Sequence, residues 1–257
     1  MIFYFSGTGN TRWAAEFIAR HTGERILSIS DEIKTECKYT LSDDERIGIC
    51  FPIHGWQPPR IVRDFIKKLS LPHSQSHYCY ALCTCGDTVG DAITILNKDL
   101  SKKGLEAKSF FSLVMPESYV CLPFMYTDTK KREREKIEAA KEKLNIIVDV
   151  IRNRENGVDL LKKGPTPQIY SYMIGNFFNK YMITDKPFKV DEKTCIKCGK
   201  CTQICPTDNI IGGHGLLPEW KHEDSCTCCL ACYHHCPVHA INYGNITKKR
   251  GQYFFKE

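Results

Sequence analysis

The chain has 257 residues, of which 42% are hydrophobic and 26% charged, and carries a formal net charge of +6; that length suits one large domain or two modest ones. No apolar run approaches the roughly 18 residues of a membrane span, and MIFYF leads into a glycine loop with no basic leader before it, so no transmembrane segment or signal peptide is expected and the expected location is cytoplasmic. The basic excess is spread thinly, with 23 basic against 21 acidic side chains in 1–155, 4 against 2 in 156–188 and 9 against 7 in 189–257, so nucleic acid is not an expected partner.

IFYF at 2–5 reads as a buried strand. SGTGNT at 6–11 follows, and RWAAEFIARH then has helical spacing. A strand, a tight polar loop and a helix start make an anion site, because main-chain N–H groups and the helix dipole face outward. Position 12 is arginine, so the GxGxxG dinucleotide fingerprint is absent, as is the Walker lysine. A loop rich in hydroxyls suits a terminal phosphate monoester, with Ser6, Gly7, Thr8, Gly9, Asn10 and Thr11 as its donors and turns. This loop resembles the phosphate loop of flavodoxins, which bind FMN.

The following segments alternate. ERILSIS (24–30) and RIGICF (46–51) are strand-like, PRIVRDFIKKL (59–69) is amphipathic, and HYCYALC (77–83) is a further strand. TVGDAITILNKDLSKKG (88–104) predicts a helix with a threonine N-cap and a closing glycine, AKSFFSLVM (107–115) a fifth strand, and 129–157 a long helix ending at Gly157. Strands alternating with helices imply a mainly parallel sheet covered on both faces. The resemblance implies a flavodoxin-like five-stranded sheet of order 2-1-3-4-5 over 1–157, with the ligand beyond the strand carboxyl ends. It also implies that two loops hold the flavin ring: Pro52, Ile53, His54, Gly55 and Trp56 after the third strand, and Thr84, Cys85, Gly86 and Asp87 after the fourth. Trp56 is the candidate to stack on the ring, with His54 second and ordinary packing the alternative. In flavodoxins a carbonyl of this loop swings toward flavin N5 on reduction, which the resemblance carries to His54–Gly55–Trp56. Cys83 and Cys85 form a CxC that reads as core and loop. Cys37, Cys50, Cys79 and Cys121 have no partners by spacing and read as structural.

Residues 158–188 contain Gly164, Pro165 and Pro167, then an apolar and aromatic stretch from Ile169 to Ile183 of roughly helical spacing. A flexible tether would be more polar, so this connecting segment is expected to hold two modules together.

Fifteen cysteines in a reducing compartment point to metal ligation or redox chemistry before disulfides. Cys195, Cys198, Cys201 and Cys205 follow C-x2-C-x2-C-x3-C-P, and Cys226, Cys229, Cys232 and Cys236 repeat it 31 residues later, leaving Cys228 outside the pattern. Zinc sites usually show paired C-x2-C knuckles, so iron–sulfur clusters are the expectation and zinc the alternative. The stretch 189–247 resembles bacterial two-cluster ferredoxins, whose fourth cysteine serves the other cluster. The resemblance therefore implies one 4Fe–4S cluster on Cys195, Cys198, Cys201 and Cys236, and a second on Cys226, Cys229, Cys232 and Cys205. The module 189–257 is then a small α+β ferredoxin-like domain.

The whole chain resembles flavodoxin–ferredoxin fusions of the EFR1 family. The resemblance implies FMN and two 4Fe–4S clusters as cofactors, redox proteins as partners and electron transfer between one-electron and two-electron carriers as the role. Ligating thiolates, cluster cores and phosphate together bring about −6, which offsets the +6 of the chain. A flavin-dependent reductase of a small substrate is the alternative, and 115–128 after the fifth strand is long enough to shape its pocket. No nicotinamide fingerprint is present.

Overall fold

The computed structural model describes residues 1–256. β1 (Ile2–Tyr4), α1 (Asn10–Thr22), β2 (Ile26–Ser28), the one-turn α2 (Ile29–Glu32), β3 (Ile47–Pro52), α3 (Arg60–Lys68), β4 (Cys79–Cys85), α4 (Ala92–Ser101), β5 (Ser109–Val114), α5 (Lys130–Arg152) and β6 (Asp159–Leu160) follow in turn. Their strands form one parallel sheet of order β2-β1-β3-β4-β5-β6. This is the flavodoxin-like α/β order, with one strand more than the five expected. β6 is too short to show a period in sequence. It forms because the β5 edge offers partners, beginning with the Phe110 N–H donated to the Val158 carbonyl at 2.8 Å.

Apolar residues run continuously along β1, β3 and β4 because both faces are covered. Phe3, Ile49, Phe51, Ala81, Cys83 and Cys85 pack toward α3 and α4, whereas Ile2, Cys50, Tyr80 and Leu82 pack toward α1 and α5. Cys83 and Cys85 thus belong to the core, and burial pushes the Cys85 thiol up to about 12.

Three boundaries differ from expectation. The second strand stops at Ser28, where α2 begins. The long helix ends at Arg152; Thr129 caps its start by accepting the Arg132 N–H. The helix expected from Thr88 starts at Ala92 because Gly90 turns left-handed at φ 58°. Thr88 is not its cap: its hydroxyl accepts the indole N–H of Trp56. The start of α4 is held instead from 80 residues away, where Ser171 Oγ accepts the Asp91 N–H at 2.7 Å and donates to the Trp56 carbonyl.

Residues Ile169–Ile174 form a π-helical stretch that runs directly into α6 (Gly175–Tyr181). Beyond it come β7 (Phe188–Val190), α7 (Lys200–Ile204), β8 (Ile210–Gly213), β9 (Leu216–Trp220), α8 (Ala231–His234) and β10 (Ile241–Tyr243). β7 pairs with β10 and β8 with β9, both antiparallel. Phe188 stacks on Trp220 and meets Tyr243 edge-on. A module of about 60 residues has little core of its own. Here the core is shared: Val120 and Cys121, from the segment after β5, pack in the same cluster as Tyr233, Trp220 and Cys228. Among the described residues no helix is long and apolar enough to cross a membrane.

Candidate cofactor sites

The two cysteine runs wind alike. Lys197, Gly199 and Asp208 are left-handed in the first, and Cys228, Leu230 and His239, each 31 positions later, are left-handed in the second. These turns bend the chain around its sulfurs and aim N–H groups at them. Lys197 N–H and Cys228 N–H donate to Cys195 Sγ and Cys226 Sγ, at 3.4 and 3.3 Å. Asn209 N–H and Ala240 N–H do the same for Cys205 Sγ and Cys236 Sγ, at 3.3 and 3.2 Å. Such bonds stabilise bound thiolate and tune cluster potential.

Cys195, Cys198, Cys201 and Cys236 line one cavity with Ile196, Pro218 and Ile241. Cys205, Cys226, Cys229 and Cys232 line a second with Phe188, Ile210 and Trp220. Each cavity takes three cysteines from one run and the fourth from the other. Among the described residues no three His, Cys, Asp or Glu side chains converge on a single metal ion. Each chamber is apolar and lined by four thiols, a donor set that can hold a 4Fe–4S cube.

A third cavity, of about 450 Å³, lies beyond the carboxyl ends of β1, β3, β4 and β5. It is lined by Ser6, Gly7, Thr8, Asn10 and Thr11, by Pro52, Ile53, His54, Gly55 and Trp56, and by Thr84, Cys85, Gly86 and Asp87. Of the loop residues singled out in the sequence, Gly9 alone is not on its wall; it faces the other way, against Phe255. Asn10 reaches the wall with its side chain engaged: Nδ2 donates to the Pro116 carbonyl and Oδ1 accepts the Tyr253 hydroxyl. Thr11 and Thr84 share a buried 2.8 Å hydroxyl bond that joins the first and third of these loops.

His54, Gly55, Trp56 and Gln57 form a tight turn, with His54 N–H to the Gln57 carbonyl and Gln57 N–H to the His54 carbonyl. Both central residues are left-handed at φ 55°, the geometry of a type I′ turn. For tryptophan that conformation is costly. It persists because the connecting segment grips the turn from outside. Trp56 stacks on Tyr170 at 4.9 Å, so its ring serves packing as well as the cavity wall. Asn179 Nδ2 donates to the His54 carbonyl, and Gly175 lies against the Gly55 carbonyl. Carbonyl rotation in this turn requires those contacts to part. Burial pushes the His54 imidazole down to about 4, against the opposing influence of the Thr227 main chain, which lies between Cys226 and Cys229.

Three contributions go beyond the residues singled out in sequence, although the first and part of the second fall in 115–128, the segment expected to shape a pocket. The first is Glu117 on the cavity wall, which accepts the N–H groups of Ser118 and Tyr119. Burial raises it above the usual carboxylate range, although those bonds and Lys136 oppose the rise. The second is a mouth formed by Leu122, Phe124, Met125, Ile174, Phe177 and Phe178, where Phe124 and Phe177 stay 77% and 59% exposed. The third is the tail. Phe255 N–H donates to the Thr8 carbonyl, and the Phe255 ring stacks on Trp13.

The tail is tethered through His234, with Nε2 on the Ser118 carbonyl and Nδ1 accepting the Tyr253 N–H. Both ring nitrogens are thereby used in the neutral form, and burial depresses the imidazole to about 4. Between pH 6.5 and about 4 the unfolded chain binds a proton that the folded ring refuses, so stability falls as pH drops through that window. From pH 7 to 5 His234 is expected to cost about 2 kcal/mol. Denaturant midpoints at both pH values should show a smaller loss in His234→Gln, whose amide reproduces one donor and one acceptor.

Residues 188–211 match the Fer4 family, described as a 4Fe-4S binding domain. The matched stretch holds the first cysteine run, and the second lies beyond it. No curated protein matches the chain. Among solved structures, a putative flavoprotein from Bacteroides uniformis aligns at 18% identity over 44% of this chain and 88% of its own, with a TM-score of 0.35. One from Bacteroides eggerthii aligns at 19% over 55% and 96%, with 0.33. The rubredoxin oxygen:oxidoreductase of Desulfovibrio gigas aligns at 14% over 60% and 36%, also with 0.33. The fold assignment rests on the strand order above and not on these scores.

Proposed function

We propose that the chain is an electron-transfer protein relaying electrons between FMN, in the 450 Å³ cavity, and two 4Fe–4S clusters, in the two cysteine-lined chambers. One observation carries this reading: Cys229 belongs to the wall of the FMN cavity and to the wall of the second cluster chamber alike. When bound, flavin supplies one- or two-electron chemistry and the clusters one-electron steps.

The protein's own part is to bind, orient and shield. The 6–11 loop presents N–H groups and hydroxyls at the start of α1 to a phosphate. The turn at 54–57 and the loop at 84–87 flank a planar ring. Tyr119, Phe178 and Met182 keep water from it, and Glu117 sets a carboxyl group near it. The two modules are proposed to divide at about 157 and 189, with the intervening segment as the clamp over the 54–57 turn. Donor and acceptor are redox proteins, and the compartment is the cytoplasm.

A reductase acting on a small substrate is the second reading, favoured by one feature: the apolar mouth over the cavity offers a ligand surface beside a buried acid, Glu117. A pure carrier should turn over protein partners only; a reductase should also turn over a small oxidant at the flavin.

Anaerobic redox titration of reconstituted protein, followed by absorbance and EPR, counts the centres. One flavin and two clusters support the reading, and zinc without iron or sulfide overturns it. The Ser6→Ala, Thr8→Ala double variant should bind FMN at least about 100-fold more weakly, since it loses two hydrogen bonds to a charged group at roughly 1.5–3 kcal/mol each. Unchanged affinity in equilibrium dialysis would remove the loop from the site.

A further inference from the structure

Cys228 is the cysteine that the repeat does not need. Its main chain has a task, since its N–H donates to Cys226 Sγ from a left-handed turn. In the first run Lys197 performs the equivalent task from an exposed position, so that task does not call for a thiol. The Cys228 thiol has a neighbour instead: it packs in one buried cluster with Cys121, contributed by the segment after β5, and the two thiols act on each other there. Both are free thiols, each 3% exposed. Cys228 also stands on the wall of the large cavity, between two cysteines that line the second cluster chamber. Beside the pair, Tyr119 has a buried hydroxyl with no hydrogen-bond partner in the structure.

We propose that Cys121 and Cys228 form a redox-active dithiol that closes reversibly to a disulfide and stores one electron pair beside the flavin cavity. This rests on the flavin reading given above. On closure the two S–H bonds break and one S–S bond forms, while two electrons and two protons pass to the oxidised flavin; opening reverses the transfer. Burial dictates this route. A soluble thiol exchanges with a disulfide only by direct attack on sulfur, and both residues are nearly buried, Cys228 standing on the wall of the flavin's own cavity, so the pair communicates through the neighbouring redox centre. The pair also spans the two halves of the molecule, so its closure would link the 115–128 wall covalently to the second cysteine run.

The test uses the full holoprotein, poised anaerobically with mediators over a range of potentials, then quenched in acid with an alkylating agent, digested and analysed by mass spectrometry. A peptide joining Cys121 to Cys228 should appear at oxidising poise and vanish at reducing poise. Cys121→Ser should keep its iron and take up two fewer electrons per chain in titration than the parent. Both cysteines alkylated at every potential would overturn the proposal, as would a crosslink seen only after iron loss, or one joining Cys121 to Cys226 or Cys229. Flavin, iron and sulfide are counted in the same samples. A preparation lacking flavin therefore fails the functional reading, whereas one with flavin and without the joined peptide fails the dithiol.

Discussion

Cys236→Ala should empty the same cluster chamber as Cys195→Ala, and leave intact the one that Cys226→Ala disrupts. Cys236 closes the second run in sequence, yet in space it completes the ring of Cys195, Cys198 and Cys201. Cys205 correspondingly completes the ring of Cys226, Cys229 and Cys232. Each single variant is expected to lower bound iron from about eight to about four atoms per chain, the content of one cube. The residual EPR signal then sorts the variants. Signals from Cys236→Ala and Cys195→Ala should coincide, and those from Cys205→Ala and Cys226→Ala should form the other group. Grouping by sequence run would refute the crossed arrangement. Stability should fall as well, because the lost cluster is a cross-link between two short segments in a module whose core is partly borrowed from the segment after β5.

Gly7→Ala should damage both kinds of site at once. A methyl group on Gly7 would stand 2.7 Å from Cys229 Cβ and 3.2 Å from its Sγ, closer than packed atoms come. Gly7 is not left-handed, so the effect is steric and not conformational. Either the 6–11 loop or the Cys226–Cys229 turn must withdraw, and overpacking of this kind costs about 1–3 kcal/mol. For a chain this long that corresponds to a fall in Tm of about 2–4 °C for each kcal/mol. Calorimetry should show the fall, and equilibrium dialysis should show weaker FMN binding in the same variant. Gly7→Val, bulkier at the same point, should go further in both measurements. Normal melting and normal FMN affinity in both variants would mean that the loop and the cysteine turn do not need their close approach. Gly7 and Cys229 thus bring the glycine loop and the second cysteine run into van der Waals contact.

How far the sequence reached differs from one feature to the next. The grouping of Cys195–Cys205 and Cys226–Cys236 was legible because their arrangement is local: three sulfurs at steps of three residues come from one winding turn. The 6–11 loop was legible for the same reason, since a strand, a tight turn and a helix start are adjacent in the chain. Thr88 was misread because local capping rules favour threonine, whereas the start of α4 is tied to Ser171, 80 positions away. Trp56 was the candidate for the cavity, with ordinary packing the alternative; it stands on the cavity wall and also stacks on Tyr170, a contact that no periodicity in 51–59 foreshadows. β6 was missed because two residues carry no pattern and the β5 edge supplies the reason to extend.

The sequence by itself set out the candidate chemistry, two sets of four thiols and a loop suited to an anion at a helix start, and determined that a parallel sheet carries that loop. Those are short-range properties, fixed by residue type and spacing. Only the tertiary structure decided how the centres meet. It put Cys229 on two walls, set Glu117 and Phe178 around the cavity, bound the tail to the glycine loop through Tyr253 and His234, and brought Cys121 to Cys228. Each of these joins residues far apart in the chain, and such contacts follow from how whole faces pack, information that no local window contains.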